Sequence, residues 1–141
     1  IAIIGLLTAI ALSAYAHYKE QANIARVKSE LKTIHLAIEA LAADTERWPG
    51  PNTVGLTADD EIWDLTAPEA GLLSATAAFP NWQGPYIQSI PTDPWGNPYF
   101  FDPDYYLSGS NIVPVIGSFG PNGEGQNDYD ADDVYRILPI P

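Results

Sequence analysis

Hydrophobic and polar residues follow two different patterns in the first third of the chain. From Ile1 to Tyr18 there is no Asp, Glu, Lys or Arg, and nearly every side chain is apolar or small. From Lys19 onward charged residues appear, while apolar residues recur at alternating steps of three and four, at Ile24, Val27, Leu31, Ile34, Ile38 and Leu41. That spacing places apolar side chains on one face of an α-helix. We therefore predict one helix from Ile1 to about Asp44, uncharged in its first half and amphipathic in its second.

This predicted helix is too long for one small domain to cover. It contains no Pro and a single Gly, so it would extend on the order of 65 Å. It should end between Asp44 and Arg47, because a Pro-Gly-Pro sequence at residues 49–51 cannot continue it. The chain is thus expected to divide into a hydrophobic assembly or membrane helix, residues 1–21, and a globular head, residues 22–141, which includes the second half of the helix.

Three interpretations of the uncharged stretch follow from its composition. A membrane-spanning helix needs roughly 20 apolar residues, and the stretch is just short of that. A signal peptide would carry a basic N-terminal region and a cleavage site, neither of which is visible. Small residues along the stretch would allow it to pack closely against copies of itself. The residues leave membrane anchoring and self-assembly open, and those expected to carry assembly are Ile1, Ile3, Ile4, Gly5, Leu6, Leu7, Ile10 and Leu12.

Turn-forming residues dominate the chain from residue 48 to residue 98. A short helix is predicted around Asp59 to Leu65, with Thr57 as its N-cap, and a further turn over Pro68 to Ala77. The sequence Asp93-Pro94-Trp95-Gly96-Asn97-Pro98 predicts a rigid pair of turns with the indole ring packed on the body of the protein.

Short runs rich in β-branched and aromatic residues predict strands at 99–101, 113–116 and 134–138. These strands are expected to form a small antiparallel sheet that lies on the apolar stripe of the long helix. The predicted fold class is therefore α+β, with a long N-terminal helix and a loop-rich C-terminal head.

Charge and composition exclude several classes of function. The net charge is −12, and five of the six basic residues precede residue 48, whereas thirteen of the eighteen acidic residues follow it. Such an acidic body disfavours nucleic acid as a partner. There is no Cys, both histidines lie on the predicted helix, and no phosphate-binding loop is present. We therefore do not expect an enzyme.

The strongest candidate for a site is an acidic, glycine-containing run near the C-terminus. Between Phe119 and Asp133 stand three glycines and the candidate ligands Asn122, Glu124, Asp128, Asp130, Asp132 and Asp133. Oxygen ligands on a flexible loop suit calcium, although the order of residues is not that of an EF-hand. Acidic loops rich in Gly and Asn are also commonly solvated turns, so the residues alone leave both interpretations open.

Four stretches in this chain resemble a known protein family. The segment IAIIGLLTAIALSAYAHYKEQANIARVKSELKTIHLAIEAL is similar to the helix of type IV pilins without its leading residues. The stretches RWPGPNTVGL, NWQGPYIQSIPTDPWGNPYFF and GSFGPNGEGQNDYDADDV resemble the G-type major pseudopilin of bacterial type II secretion. The resemblance covers nearly the whole chain and implies the pilin fold.

The resemblance implies a structural subunit of a helical, pilus-like filament. Its apolar helix would lie first in the bacterial inner membrane and then in the core of a periplasmic or extracellular filament, with minor pilins or pseudopilins as further partners. The family's cleavage motif, N-methylated first residue and nearby acidic residue would lie upstream of Ile1. A secretion pseudopilin is the expected function, and the alternatives are the major pilin of an extracellular type IV pilus and a monomeric membrane-anchored binding module.

The resemblance also implies that the acidic run binds calcium. By motif, the expected ligands are the side chains of Asn122, Asp132 and Asp133 and the carbonyl of Phe119, with Asp128 and Asp130 as additional candidates. Asn122 stands where the family usually has Asp. The loss of one negative charge should weaken the site without abolishing it.

Overall fold

The computed structural model describes residues 2–57, 60–127 and 130–141, and for residues 2–10 it describes the backbone alone. Its first elements are helix α1 (Ala2–Thr45), strands β1 (Arg47–Trp48) and β2 (Asn52–Thr53), and a 3-10 turn (Pro68–Ala70). Its last elements are strands β3 (Phe100–Ser108), β4 (Asn111–Ser118) and β5 (Val134–Ile137). The predicted α+β class is confirmed.

Helix α1 runs for 44 residues without interruption, as the periodic pattern predicts. The stripe positions from Val27 to Leu41 are each at most 1% exposed, because they face the sheet and the loops that precede it. Residues 11–22 are all exposed. The described head therefore covers only the second half of the helix, while the proposed boundary at residue 21 stays a prediction.

The helix ends through a local change of backbone conformation. The Thr45 hydroxyl donates to the Leu41 carbonyl at 2.7 Å and accepts the N–H of Arg47 at 3.1 Å. Glu46 adopts a left-handed φ of 56°, the conformation that commonly terminates a helix. The chain then turns back as a small hairpin in which Trp48 pairs with Asn52. The sequence did not predict this hairpin, because each of its strands has only two residues.

The main sheet is antiparallel, with the strand order β3-β4-β5. Phe101 pairs with Ile116, and Ile116 pairs with Arg136. Phe101 and Ile116 belong to the core that includes the helix stripe. Their neighbours Phe100 and Val115 belong to a second cluster, because successive side chains of a strand point to opposite faces. The sheet therefore has an inner face on the helix and an outer face with its own small core.

The prediction of a short helix around Asp59 to Leu65 is wrong for residues 60–65, the part of this segment that the structure describes. Ile62 instead forms an antiparallel bridge with Phe101, and each donates its N–H to the other's carbonyl at 2.9 and 2.8 Å. These bonds extend the edge of the sheet, and they use backbone groups that a helix would need. Residues 58 and 59 lie outside the described residues. In the turn predicted over Pro68 to Ala77, the 3-10 turn occupies the first three positions.

Asp93 organises the turn at residues 93–98. One of its carboxylate oxygens accepts the N–H groups of Trp95 and Asn97 at 3.0 and 2.8 Å. Its other oxygen accepts the hydroxyl of Ser118 at 2.6 Å. Asp93 is only 2% exposed, and these protein donors take the place of the water molecules that would hydrogen-bond to an exposed carboxylate. The turn is thereby tied to the end of β4, where the acidic run begins.

Candidate functional site

The acidic run forms the loop that joins β4 to β5, and we call residues 119–133 the acidic loop. Ser118 and Val134 pair across the two strands. The first and last residues of the loop, Phe119 and Asp133, therefore lie just beyond the same pair. Antiparallel pairing thus brings together two predicted ligand residues that are far apart in the chain.

Glycines allow the loop to fold back on itself. Gly120 has φ +74°, and a Cβ there would lie 2.0 Å from the carbonyl oxygen of Asp132. A Cβ on Gly125 would lie 2.6 Å from the ring of Phe119 and 3.2 Å from Oδ1 of Asp133. There is no room for a side chain at either glycine. Gly120 and Gly125 therefore lie directly against residues 119, 132 and 133.

Hydrogen bonds within the loop involve the other predicted ligands. Nδ2 of Asn122 donates to Asp130 at 2.7 Å, and its Oδ1 accepts the N–H of Glu124 at 3.0 Å. The other oxygen of Asp130 accepts the N–H of Asp132 at 2.9 Å. Asp132 is exposed and Asp133 is half-buried. Asn122 and Asp130 thus meet each other, whereas Asp128 lies outside the described residues.

One hydrogen bond connects the loop to the outer face of the sheet. The hydroxyl of Tyr105, on β3, donates to Oδ2 of Asp133 at 2.8 Å. Burial, followed by the bond to Asp133, raises the pKa of Tyr105 well above its usual range. The phenol is therefore protonated and available as a donor at all physiological pH values.

The loop also contributes its first residue to the outer face. The ring of Phe119 stacks on Phe100 with centroids 4.5 Å apart and planes inclined by 12°. Trp63 lies against both rings, at 6.0 Å from Phe100 and 5.9 Å from Phe119. The ring of Tyr105 is also stacked with that of Phe100, with centroids 6.5 Å apart. We call these four residues the aromatic cluster, and it anchors the start of the acidic loop.

A second group of acidic residues was not predicted. Within the described residues, the carboxylates of Glu61, Asp102 and Asp104 form a group that could hold a metal ion. Their potential ligand atoms all lie within 4.8 Å of one another. The bridge between residues 62 and 101 brings Glu61 beside β3, where the pairing is irregular after Asp102. The Asp-Pro-Asp sequence marks this irregularity, but nothing in the sequence indicates its partner. The described carboxylates of the acidic loop, those of Glu124, Asp130, Asp132 and Asp133, do not form such a triplet.

His35 joins the helix to β5 near the loop and also contacts a neighbour on its own helix. Arg136, on β5, donates from Nε to Nδ1 of His35 at 2.7 Å, and His35 Nε2 lies 3.3 Å from Glu39. Nδ1 is therefore an acceptor and His35 is neutral. Burial lowers the pKa of His35, Arg136 lowers it further, and Glu39 opposes both. This imidazole is therefore engaged in structural contacts.

The predicted assembly residues lie mostly where side chains are not described. Ile1 lies outside the described residues, and for Ile3, Ile4, Gly5, Leu6, Leu7 and Ile10 only the helical backbone is described. Leu12 is described and is 65% exposed. Across the described residues, no helix reaches the combination of length and hydropathy that a membrane crossing requires.

Comparison with known proteins identifies similar chains. The family model described as "Type II secretion system (T2SS), protein G" matches residues 14–136. The type II secretion system core protein G of Pseudomonas aeruginosa is 28% identical over 137 residues, covering 94% of this chain and 84% of that protein. The protein of the same description from Escherichia coli strain K12 is 30% identical over 126 residues, covering 88% and 76%.

A solved structure shares the fold. The crystal structure of the major pseudopilin from the type 2 secretion system of enterohaemorrhagic Escherichia coli matches with a TM-score of 0.56 and 22% sequence identity. The match covers 84% of this chain and 86% of that one. The long helix with a small antiparallel sheet is therefore an arrangement already known in a solved protein.

Proposed function

The chain belongs to the family of type II secretion system protein G, the major pseudopilins, and on that premise we propose how it assembles and what its acidic loop binds. The membership confirms the expectation of a structural subunit for type II secretion over that of a surface pilus. It also associates the chain with the bacterial cell envelope. The family is one of structural subunits.

We propose that subunits join into a helical filament through the first half of α1. The observation that carries this proposal is the exposure of every side chain from residue 11 to residue 22 on a helix that continues, without a break, into the buried core. Its large exposed hydrophobic side chains are Leu12, Tyr15 and Tyr18, and contiguous exposed apolar surface is typical of an interaction site. Its burial against like helices would supply the driving force, with the inner membrane holding the segment before assembly and other pseudopilins joining the filament.

We further propose that the acidic loop binds calcium. The donor atoms available there are all oxygen, from Asp132, Asp133, Asn122 and the Phe119 carbonyl, and calcium prefers six to eight such ligands. The close approaches at Gly120 and Gly125 hold residues 119, 132 and 133 together. Both features fit the ion. When bound, calcium supplies positive charge that offsets the clustered aspartates, and the loop residues fix the outer surface of the head.

The calcium proposal is tested by thermal unfolding of the full chain in a non-ionic detergent, with and without excess calcium. At about a hundred times the dissociation constant, a ligand of the folded state adds about 2.7 kcal/mol, which corresponds to a rise in Tm on the order of 10 °C for a head of this size. The response should disappear when Asp132→Ala and Asp133→Ala are combined.

A matched control uses the other acidic group. Glu61→Gln combined with Asp104→Asn removes two carboxylates outside the loop, and this variant should keep the calcium response. If the response were lost in the control and retained in the loop variant, calcium would bind at Glu61, Asp102 and Asp104, and the proposal for the loop would be wrong.

A further inference from the structure

We propose that Tyr105 is a positioning residue for the acidic loop: its hydroxyl holds the Asp133 carboxylate in the orientation in which that group binds a divalent cation. This inference rests on the proposed calcium site and adds a residue that lies outside the loop. Tyr105 precedes Asp133 by 28 positions and lies on β3.

The position of the hydroxyl is fixed by packing. Tyr105 is 4% exposed and pairs with Val113 across β3 and β4. Its ring contacts that of Phe100, with centroids 6.5 Å apart, and that of Tyr135, at 4.9 Å. A buried ring packed against two others cannot move its hydroxyl away from Asp133 without disturbing the outer face. The donor is therefore placed by the sheet and not by the loop.

The hydrogen bond determines how Asp133 is oriented. With Oδ2 on the Tyr105 hydroxyl, Oδ1 points to the side of the loop where Gly125 makes its close approach, 3.2 Å from an added Cβ. Phe119, whose carbonyl is a candidate ligand, lies on that same side, since Gly125 also abuts its ring. The Tyr105 hydroxyl thus holds one carboxylate oxygen on the side of the sheet and leaves the other on the side of Gly125.

Such a partner changes affinity in a way that a purely structural residue does not. Carboxylates that bind metals are commonly held by hydrogen bonds from groups that do not touch the ion, and loss of one such bond typically weakens metal affinity by about 10–100-fold. A fixed carboxylate also reduces the ordering that binding would otherwise require.

The chain contains a matched control for this role. Tyr99 is also buried, at 1% exposure, and its hydroxyl also donates to a carboxylate, that of Glu30 on α1. Tyr99→Phe and Tyr105→Phe each remove one buried tyrosine–carboxylate bond. Only the second of these bonds involves the acidic loop.

The experiment is calorimetric titration of calcium into the full chain in detergent, for the unsubstituted protein and both variants, together with amide hydrogen exchange of residues 130–133 without calcium. Tyr105→Phe should bind calcium about tenfold more weakly and exchange faster in the loop. Tyr99→Phe should match the unsubstituted protein in both measurements. Replacing Tyr105 by 4-aminophenylalanine, which restores a donor on the same ring, should recover the affinity.

Each other result would overturn the inference. If Tyr105→Phe bound calcium with unchanged affinity, the inference would fail while the calcium site stood. If both variants weakened binding equally, the effect would be one of general stability. If the unsubstituted protein bound no calcium, both the site and the inference would fail. If Tyr105→Phe does not fold, the variant with 4-aminophenylalanine at position 105 is decisive. If that protein folds, keeps its hydrogen-bond donor and still loses affinity for calcium, Tyr105 does not act as a positioning residue.

Discussion

Assembly through the exposed half of α1 makes a quantitative prediction for Leu12. This residue is 65% exposed in the single subunit, so its substitution should leave the folded head unchanged. Leu12→Ala removes three carbons, worth about 2.4 kcal/mol at ~0.8 kcal/mol for each buried CH₂. Since about two thirds of the side chain is still available for burial, assembly should lose roughly 1.5 kcal/mol per subunit, which is about tenfold in concentration.

The assay is sedimentation of filaments after removal of detergent, over a range of protein concentrations. The Leu12→Ala protein should require about ten times more protein than the unsubstituted chain before filaments form. Leu56→Ala is the control, because Leu56 is similarly exposed, at 52%, but lies on a loop of the head. Thermal unfolding should be the same for all three proteins.

The reasoning would be refuted by either of two results. If Leu12→Ala formed filaments at the normal concentration, burial of this part of the helix would not drive assembly. If Leu56→Ala had the larger effect, the head would provide the main contact. A drop in Tm for Leu12→Ala would show that the residue already packs within the subunit, in conflict with its exposure.

Two further predictions concern the head. Burial lowers the pKa of His35, so its contribution to the free energy of unfolding is complete above pH about 6.5 and is lost as the pH falls through the folded-state pKa. His35→Gln, which keeps an acceptor for Arg136, should remove this part of the pH dependence in thermal unfolding, and an unchanged dependence on pH would contradict the prediction. Gly120→Ala places a Cβ 2.0 Å from the Asp132 carbonyl oxygen at a left-handed φ. The substitution should therefore lower the free energy of unfolding by at least about 1–2 kcal/mol and abolish the calcium response. Chemical denaturation with and without calcium measures both effects, and a variant of normal stability and normal calcium response would show that the loop need not close at Gly120.

The long helix could be predicted because its pattern is local and repeated. Steps of three and four from Val27 to Leu41 specify both the helix and its buried face, and the structure buries those positions. The three main strands were predicted for a similar reason, since β-branched and aromatic residues cluster at their centres. Their ends were less well predicted, and β3 continues to Ser108 through a proline-containing irregularity that the composition alone does not favour.

The segment at residues 60–65 could not be predicted correctly, because its conformation depends on a distant strand. Its acidic residues after Thr57 are typical of a helix start, yet the exchange of backbone bonds between Ile62 and Phe101 determines its structure. The same long-range bridge places Glu61 beside Asp102 and packs Trp63 on the outer face. Local sequence carries no information about these partners.

The acidic loop illustrates the same limit at a candidate site. Its chemistry could be read from the residues, since oxygen donors separated by glycines suit calcium. The residues that support the loop could not be predicted, because Tyr105 and Phe100 belong to β3. Nothing in the sequence around Tyr105 indicates its hydrogen bond to Asp133. A motif specifies which atoms are available, whereas the sheet determines how they are held.

The acidic loop is connected to both faces of the sheet, and this has a consequence for assembly. On the outer face, Phe119 and Asp133 contact the aromatic cluster. On the inner face, β5 begins directly after Asp133 and reaches the helix through the bond from Arg136 to His35. An ordered loop therefore fixes β5 relative to both β3 and α1. Since filaments are proposed to grow through α1, we expect an ordered loop to influence contacts between heads, because it holds each head in one orientation on the helix that joins it to the next subunit.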